Sequence, residues 1–131
     1  MKKVTIIGNG IVSARIGLGL ERATSALKAA GYEVDFAKMP EQYADYRKIE
    51  GKKLYVSVYG QDGFLKWLEE NEILVFHTHA PGKEGFYIET CPAELNVICG
   101  GDDTGVLYGC MELCDRIERD GEYPAEITFG D

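Results

Sequence analysis

The apolar positions of the first 37 residues predict a strand, an amphipathic helix and a second strand. Residues 4–8 form a short β-branched run that ends at a glycine, which is typical of a buried strand. Over residues 13–30 the apolar side chains recur every three or four positions, whereas charged residues occupy the other helix face. Residues 32–37 then alternate between apolar and polar. One helix between two strands indicates a right-handed parallel crossover if both strands join the same sheet.

The middle of the chain predicts shorter elements. Strands are expected at residues 54–59, 73–78, 86–90 and 95–99, with short helices near Pro40 and after Asp62. The links between the later strands are short and contain Pro81-Gly82 and Pro92. Such links favour antiparallel hairpins, because a parallel crossover needs a dozen or more residues.

A second long amphipathic helix closes the chain. It is expected to begin near Gly105 and to end at Gly121, with one apolar stripe formed by Val106, Cys110, Leu113 and Ile117. Residues 126–129 form a final extended segment. Two main helices and about six strands predict an α+β fold, a mixed β-sheet with both main helices packed on one face.

The strand alternation also predicts which side of the sheet the helices leave uncovered. The side packed against the helices would carry Val56, Val58 and Phe76. The opposite side would be open to solvent or to a neighbouring domain, and would carry Tyr55, Tyr59, His77 and His79.

Length and charge restrict the function. The 131 residues suffice for one domain, and no apolar run is long enough for a membrane helix. The apolar run after Met1-Lys2-Lys3 is too short for a signal peptide, so we assign this segment to the fold and leave the compartment open. A net charge of -8 repels phosphate backbones, which argues against a nucleic-acid partner.

Gly8-Asn9-Gly10 has the outline of a dinucleotide-binding turn. It follows a predicted strand and precedes a helix, and Asp35 is expected to end the next strand, where an acid would bind ribose. The position of the third glycine is Ser13, however, and no further β-α-β units follow. Turn glycines are therefore the favoured interpretation, with a nucleotide-binding Rossmann-like domain as the alternative.

Two pairs of polar residues have the composition of reactive sites. His77 and His79 share one strand face, as zinc ligands can, but no third or fourth ligand is evident. Asp102 and Asp103 suggest paired catalytic carboxylates. Their position between Gly100-Gly101 and a helix start favours a turn and an N-terminal cap instead.

The cysteines and the tryptophan are also ambiguous. Cys110 and Cys114 would lie on one helix face as a metal pair or, as we favour, as buried small residues, and Cys91 and Cys99 complete the set. Trp67, the single tryptophan, is either a sugar-stacking platform or a partly buried anchor. A small carbohydrate-binding or interaction domain remains a further alternative, based on Trp67 and the eight tyrosines.

The segments EGFYIE (84–89), LNVICGG (95–101) and DDTGVLYG (102–109) together resemble the N-terminal domain of several glycoside hydrolases, including α-glucuronidases and β-N-acetylhexosaminidases. The resemblance is strong over residues 84–121, looser over 1–40 and weak over 41–83. In this motif Gly100 and Gly101 allow a tight exit from a strand. Gly105 and Gly109 allow close helix packing, and Tyr108 is expected to reach the sheet.

The resemblance implies a supporting role. In those families the domain precedes a catalytic (β/α)8 barrel and does not itself cleave sugar. Residues 1–131 would thus be a single non-catalytic domain excised from a longer, extracytoplasmic glycoside hydrolase. Its partners would be the barrel of the same parent chain and carbohydrate, with no nucleic acid and no membrane. We assign no catalytic, cofactor-binding or metal-ligating residue and expect no cofactor.

Overall fold

The strands of a computed structural model, which describes residues 2–10, 13–61, 63–74 and 81–130, form a mixed six-stranded sheet. The strand order is β2-β1-β3-β5-β4-β6. Neighbours among β2, β1, β3 and β5 pair in parallel, and β4 is antiparallel to both β5 and β6. The strands are β1 (Lys3–Gly8), β2 (Glu33–Lys38), β3 (Lys52–Val58), β4 (Phe86–Cys91), β5 (Leu95–Gly100) and β6 (Thr128–Gly130).

Two long helices cover one face of this sheet, which we call the front. They are α1 (Ala14–Ala29) and α3 (Asp103–Asp120). The amide of Ile16 donates to the Ser13 hydroxyl at the start of α1, and α3 ends at Gly121, whose φ of 72° favours glycine. The front core includes Val56 and Val58, as the strand alternation predicts.

The opposite face, the back, is covered as well. A 3₁₀ helix (Tyr43–Lys48) and α2 (Gly63–Glu70) pack a second apolar cluster onto it. Tyr55 lies there as predicted, but it is 0% exposed and its ring meets Phe64 edge-on at 4.9 Å. The expectation of an open face is therefore wrong at Tyr55, whereas Tyr59, which directly follows this strand, is 37% exposed. Phe76, His77 and His79 lie outside the described residues.

The remaining predicted elements are partly confirmed. The hairpin of β4 and β5 has the expected antiparallel pairing, and the α+β class with two main helices on one face is confirmed. The parallel pairing of β3 with β5 was not predicted. Of the strand expected at residues 73–78, Ile73 and Leu74 are not in a strand, and residues 75–78 lie outside the described part of the chain.

The C-terminal segment is fixed to the sheet by Tyr123. Its backbone amide donates to the Tyr32 hydroxyl at 2.8 Å, and its own hydroxyl donates to the Lys53 carbonyl at 2.7 Å. Burial raises the pKa of the Tyr123 hydroxyl above its ordinary value. These contacts lead the chain into β6 at the edge of the sheet.

Candidate functional site

The carboxyl ends of β1, β3 and β5 meet at one edge of the sheet, where α1 and α3 begin. From β1 the chain continues to β2 on one side, while β3 lies on the other side. Ligands of open parallel sheets bind at such reversals of strand order. A groove of about 620 Å³ lies at this edge, and its lining includes Arg15, Val58, Asp103, Thr104 and Tyr108. This groove is the best-placed candidate site.

Asp102 occupies this edge as a structural acceptor. Its carboxylate accepts from the amide of Gly105 at 2.8 Å and from the amide of Glu84 at 3.0 Å. These two backbone hydrogen bonds lower the pKa of the Asp102 carboxyl. The arrangement supports the capping interpretation, since Asp102 is the N-cap of α3 and Asp103 is its first residue.

Arg15 and Thr104 connect the starts of the two long helices. The Arg15 guanidinium donates to the Thr104 hydroxyl at 2.8 Å across the groove. Sequence reasoning did not single out either residue, because their contact joins positions that are far apart in the chain. The signal that was available is their common place in the first turn of a helix that follows a parallel strand.

Asn9 turns its side chain toward the back of the sheet. Its amide donates to the Tyr55 hydroxyl at 2.9 Å and, more weakly, to the Ser57 hydroxyl at 3.4 Å. The Gly8-Asn9-Gly10 turn therefore uses its polar side chain to anchor the end of β1 to β3. Gly10 has a φ of 82°, as a turn glycine does.

Asp35 is not at the edge that a dinucleotide-binding acid occupies. β2 continues to Lys38, so Asp35 lies in mid-strand, opposite Thr5, and pairs with Lys3 at 3.3 Å. The expectation that Asp35 ends its strand is wrong, since three further residues of β2 follow it. The dinucleotide-binding alternative requires an acid beside the glycine turn, and Asp35 does not lie there.

The cysteines give no metal site within the described residues. Cys91, Cys99, Cys110 and Cys114 are free thiols and buried. In the part of the chain that the structure describes, no group of three or more His, Cys, Asp or Glu side chains is placed to hold a metal ion. His77 and His79 lie outside that part.

Trp67 packs as an anchor. It stacks on Phe64 at 6.1 Å with an interplanar angle of 10°, and the rings of Tyr43 and Tyr46 lie 6.2 and 6.4 Å away. The interpretation of Trp67 as a partly buried anchor is therefore supported.

None of the described helices is long and apolar enough to cross a membrane.

The 100–109 motif forms the close contact between sheet and helix. A Cβ on Gly105 would collide with the Gly85 carbonyl, and one on Gly109 would lie 2.5 Å from Ile98 Cγ2. These glycines have the packing roles that the motif implies. Tyr108, which was expected to reach the sheet, is 43% exposed and lines the groove together with Val58 at the end of β3.

Solved glycoside hydrolases share this fold over nearly the whole chain. A GH138 enzyme that targets pectin rhamnogalacturonan II matches 98% of this chain at a TM-score of 0.64 and 21% identity. The GH115 4-O-methyl-α-glucuronidase BtGH115A, with specificity for decorated arabinogalactans, matches 99% of this chain at a TM-score of 0.67 and 14% identity. CpGH84D matches 96% of this chain at a TM-score of 0.67 and 10% identity. The fold is that of a small domain within these glycoside hydrolases.

The matched part of each of these proteins is small. The chain spans 15%, 17% and 19% of their lengths, so most of each enzyme has no counterpart here. No protein-family model matches the sequence, and no curated protein matches it. The solved structures therefore support the resemblance seen in residues 84–121 at the level of the fold.

Proposed function

We propose that this chain is a non-catalytic N-terminal module of a carbohydrate-active enzyme, and that it supports a catalytic (β/α)8 barrel in the same parent chain. The observation that carries the proposal is the likeness to glycoside hydrolases over 96–99% of this chain but only 15–19% of theirs. A single domain of residues 1–131 would be one part of such an enzyme.

The geometry of the carboxyl edge supports a module without its own catalysis. Asp102 accepts two backbone amides and caps α3, so its carboxylate is engaged in the fold. Asp103 follows it directly in the first turn of the helix. A glycosidase needs two carboxyl groups facing each other across a sugar, and neighbouring residues at a helix start do not provide this arrangement.

The proposal is tested by assaying the purified chain on aryl glycosides, pectin fragments and arabinogalactan fragments. We expect no turnover above that of a matched Asp102→Asn/Asp103→Asn preparation, which controls for contaminating enzymes. Turnover that the double variant abolishes would overturn the non-catalytic assignment.

The parent chain is tested separately. An antibody raised against this chain is used on extracts of the source organism, and the captured protein is sequenced by mass spectrometry. We expect a protein several times longer, with glycosidase activity in the same fraction. A native product no longer than these 131 residues would overturn the proposal that the chain is a module of a longer enzyme.

Carbohydrate contact is a second proposal, located at the groove. Tyr108 offers an exposed ring, and Arg15 and Thr104 offer hydrogen-bonding groups beside it. Sugar rings stack their C–H faces on aromatic rings while their hydroxyls bond polar side chains. Amide chemical shifts measured during titration with oligosaccharides should move around Tyr108, and should not move in Tyr108→Ala.

A further inference from the structure

The outer edge of β2 has main-chain groups that β1 does not use. The amides of Glu33 and Met39 donate to the carbonyls of Lys2 and Gly8, both at 2.8 Å, so these odd-numbered positions face β1. Successive residues of a strand direct their main-chain groups to alternate sides. Val34, Phe36 and Lys38 therefore point theirs outward, and β2 is the last strand of the described sheet.

Phe36 makes this edge apolar. Its side chain is 67% exposed, the largest value among the large exposed hydrophobic residues described. It lies on the front, beside a groove of about 500 Å³ whose floor is formed by α1, including Leu20 and Thr24. An edge strand with a large exposed ring is a template for pairing with another chain.

We propose that β2 pairs antiparallel with β2 of a second copy of this chain, around a two-fold axis through Phe36. The axis runs normal to the sheet, so both copies keep their helices on the same face. Residues opposite each other must then share a face, which restricts the pairing to registers that join positions of equal parity.

Charge and hydrogen bonding select one register among these. A register centred on Asp35 places two like carboxylates directly opposite, which is destabilising. A register centred on Ala37 places Val34 opposite Pro40, which has no N–H to donate. The register centred on Phe36 pairs ring with ring and Val34 with Lys38, and it uses all three outward-facing residues of each copy.

The exposed face of α1 is complementary to itself in this arrangement. The two-fold axis runs the two α1 helices antiparallel. Glu21 and Lys28 are two turns apart and both line the groove beside Phe36. Glu21 of one copy is thereby directed toward Lys28 of the other, with the small side chains of Thr24 and Ser25 between them. This pairing does not depend on the glycoside hydrolase assignment.

The test is sedimentation equilibrium of the 131-residue chain over micromolar to high micromolar concentrations. We expect a concentration-dependent species of twice the monomer mass. Phe36→Asp and Phe36→Lys each place like charges on the axis and should weaken association by about tenfold or more. An equimolar mixture of the two variants should restore the dimer, because opposite charges then meet at the axis.

The control is Met111→Asp, which adds the same charge at a residue of α3 that is 43% exposed, on a helix that packs mainly against α1, β5, β4 and β3. It should dimerise as the wild type does, and all variants should keep the wild-type circular dichroism spectrum. A wild-type chain that stays monomeric at every concentration would overturn the proposal. So would Phe36 variants that dimerise like the wild type, or a mixture that stays monomeric.

Discussion

Gly109 of α3 lies directly on Ile98 of β5. A Cβ built on Gly109 would be 2.5 Å from Ile98 Cγ2 and 3.3 Å from the ring of Phe86. Both neighbours are buried in the front core. The helix therefore approaches the sheet as closely as it does because position 109 carries no side chain.

Gly109→Val should destabilise the fold more than the loss of any acidic residue at the start of α3. Overpacking of this contact is expected to lower the free energy of unfolding by about 1–3 kcal/mol. The measurement is the urea midpoint and slope of the variant against the wild type.

Two aspartates provide the controls for this prediction. Asp102→Ala removes the N-cap of α3 and should cost on the order of 1 kcal/mol. Asp103→Ala removes no cap and should change stability by less. Equal midpoints for Gly109→Val and Asp103→Ala would contradict the packing argument.

Gly19 of α1 gives a second close approach, here between the two helices. A Cβ on Gly19 would lie 2.9 Å from Cys110 Sγ and 3.1 Å from Cys110 Cβ. Gly19→Ala should therefore destabilise the chain, although alanine favours helix over glycine by about 1 kcal/mol.

A double-mutant cycle isolates this contact. In a Cys110→Ala background the sulfur is gone, so Gly19→Ala should be less costly there than in the wild type, or stabilising. The coupling is obtained from the four unfolding free energies. Additive effects would show that helix separation at this point does not depend on the Gly19–Cys110 contact.

Much of the fold was predictable because its signals are local. The two long helices carry apolar stripes, and α1 and α3 were placed to within about two residues by their spacing and caps. The hairpin of β4 and β5 was predictable from its short connection at Pro92. The parallel pairing of β3 with β5 was not predictable, since nothing in either strand specifies which distant strand it will pair with.

The covered back face shows why burial is harder to predict than orientation. The alternation placed Tyr55 on the correct side of the sheet, yet Phe64 covers it through a helix of only eight residues. The groove was also not predictable from local signals. Arg15 and Thr104 meet only because parallel crossovers bring two helix starts to one edge, which is a property of topology.

Lys53 predicts an unusual dependence of stability on pH. Its side chain is 2% exposed, and its ammonium donates to the carbonyls of Gly51 at 2.7 Å and Ala93 at 2.5 Å. Burial lowers the pKa of the Lys53 ammonium. The unfolded chain then binds this proton more tightly than the folded chain, so the contribution of Lys53 to stability rises with pH up to about 10.4.

The comparison that tests this is wild type against Lys53→Met in urea at about pH 7 and about pH 10. The stability of the wild type relative to the variant should be greater at the higher pH. Lys52→Met is the control, since it removes a neighbouring lysine whose side chain is 30% exposed, and its difference from wild type should change less. A wild-type advantage that is the same at both pH values would refute the expectation.

The buried thiols should have the opposite effect, so that their contribution to folding stability falls as the pH rises in the alkaline range. Burial raises the pKa of Cys91 and of Cys110 to about 12, whereas an unfolded thiol titrates near about 8.5. The folded chain therefore holds these protons more tightly. The stabilisation is complete below about pH 8.5 and is lost as pH rises toward the folded pKa.

Replacing the Cys110 thiol tests this trend, because the variant has no proton to lose at that position. Cys110→Ala should flatten the decline in unfolding free energy between about pH 8 and about pH 10, whereas Ser25→Ala on α1 should leave it unchanged. Thiol labelling at about pH 8 is the second measurement, and Cys110 should react only as fast as the chain unfolds. Rapid labelling of Cys110 in the native chain, or an alkaline slope that Cys110→Ala leaves unaltered, would contradict its burial against α1.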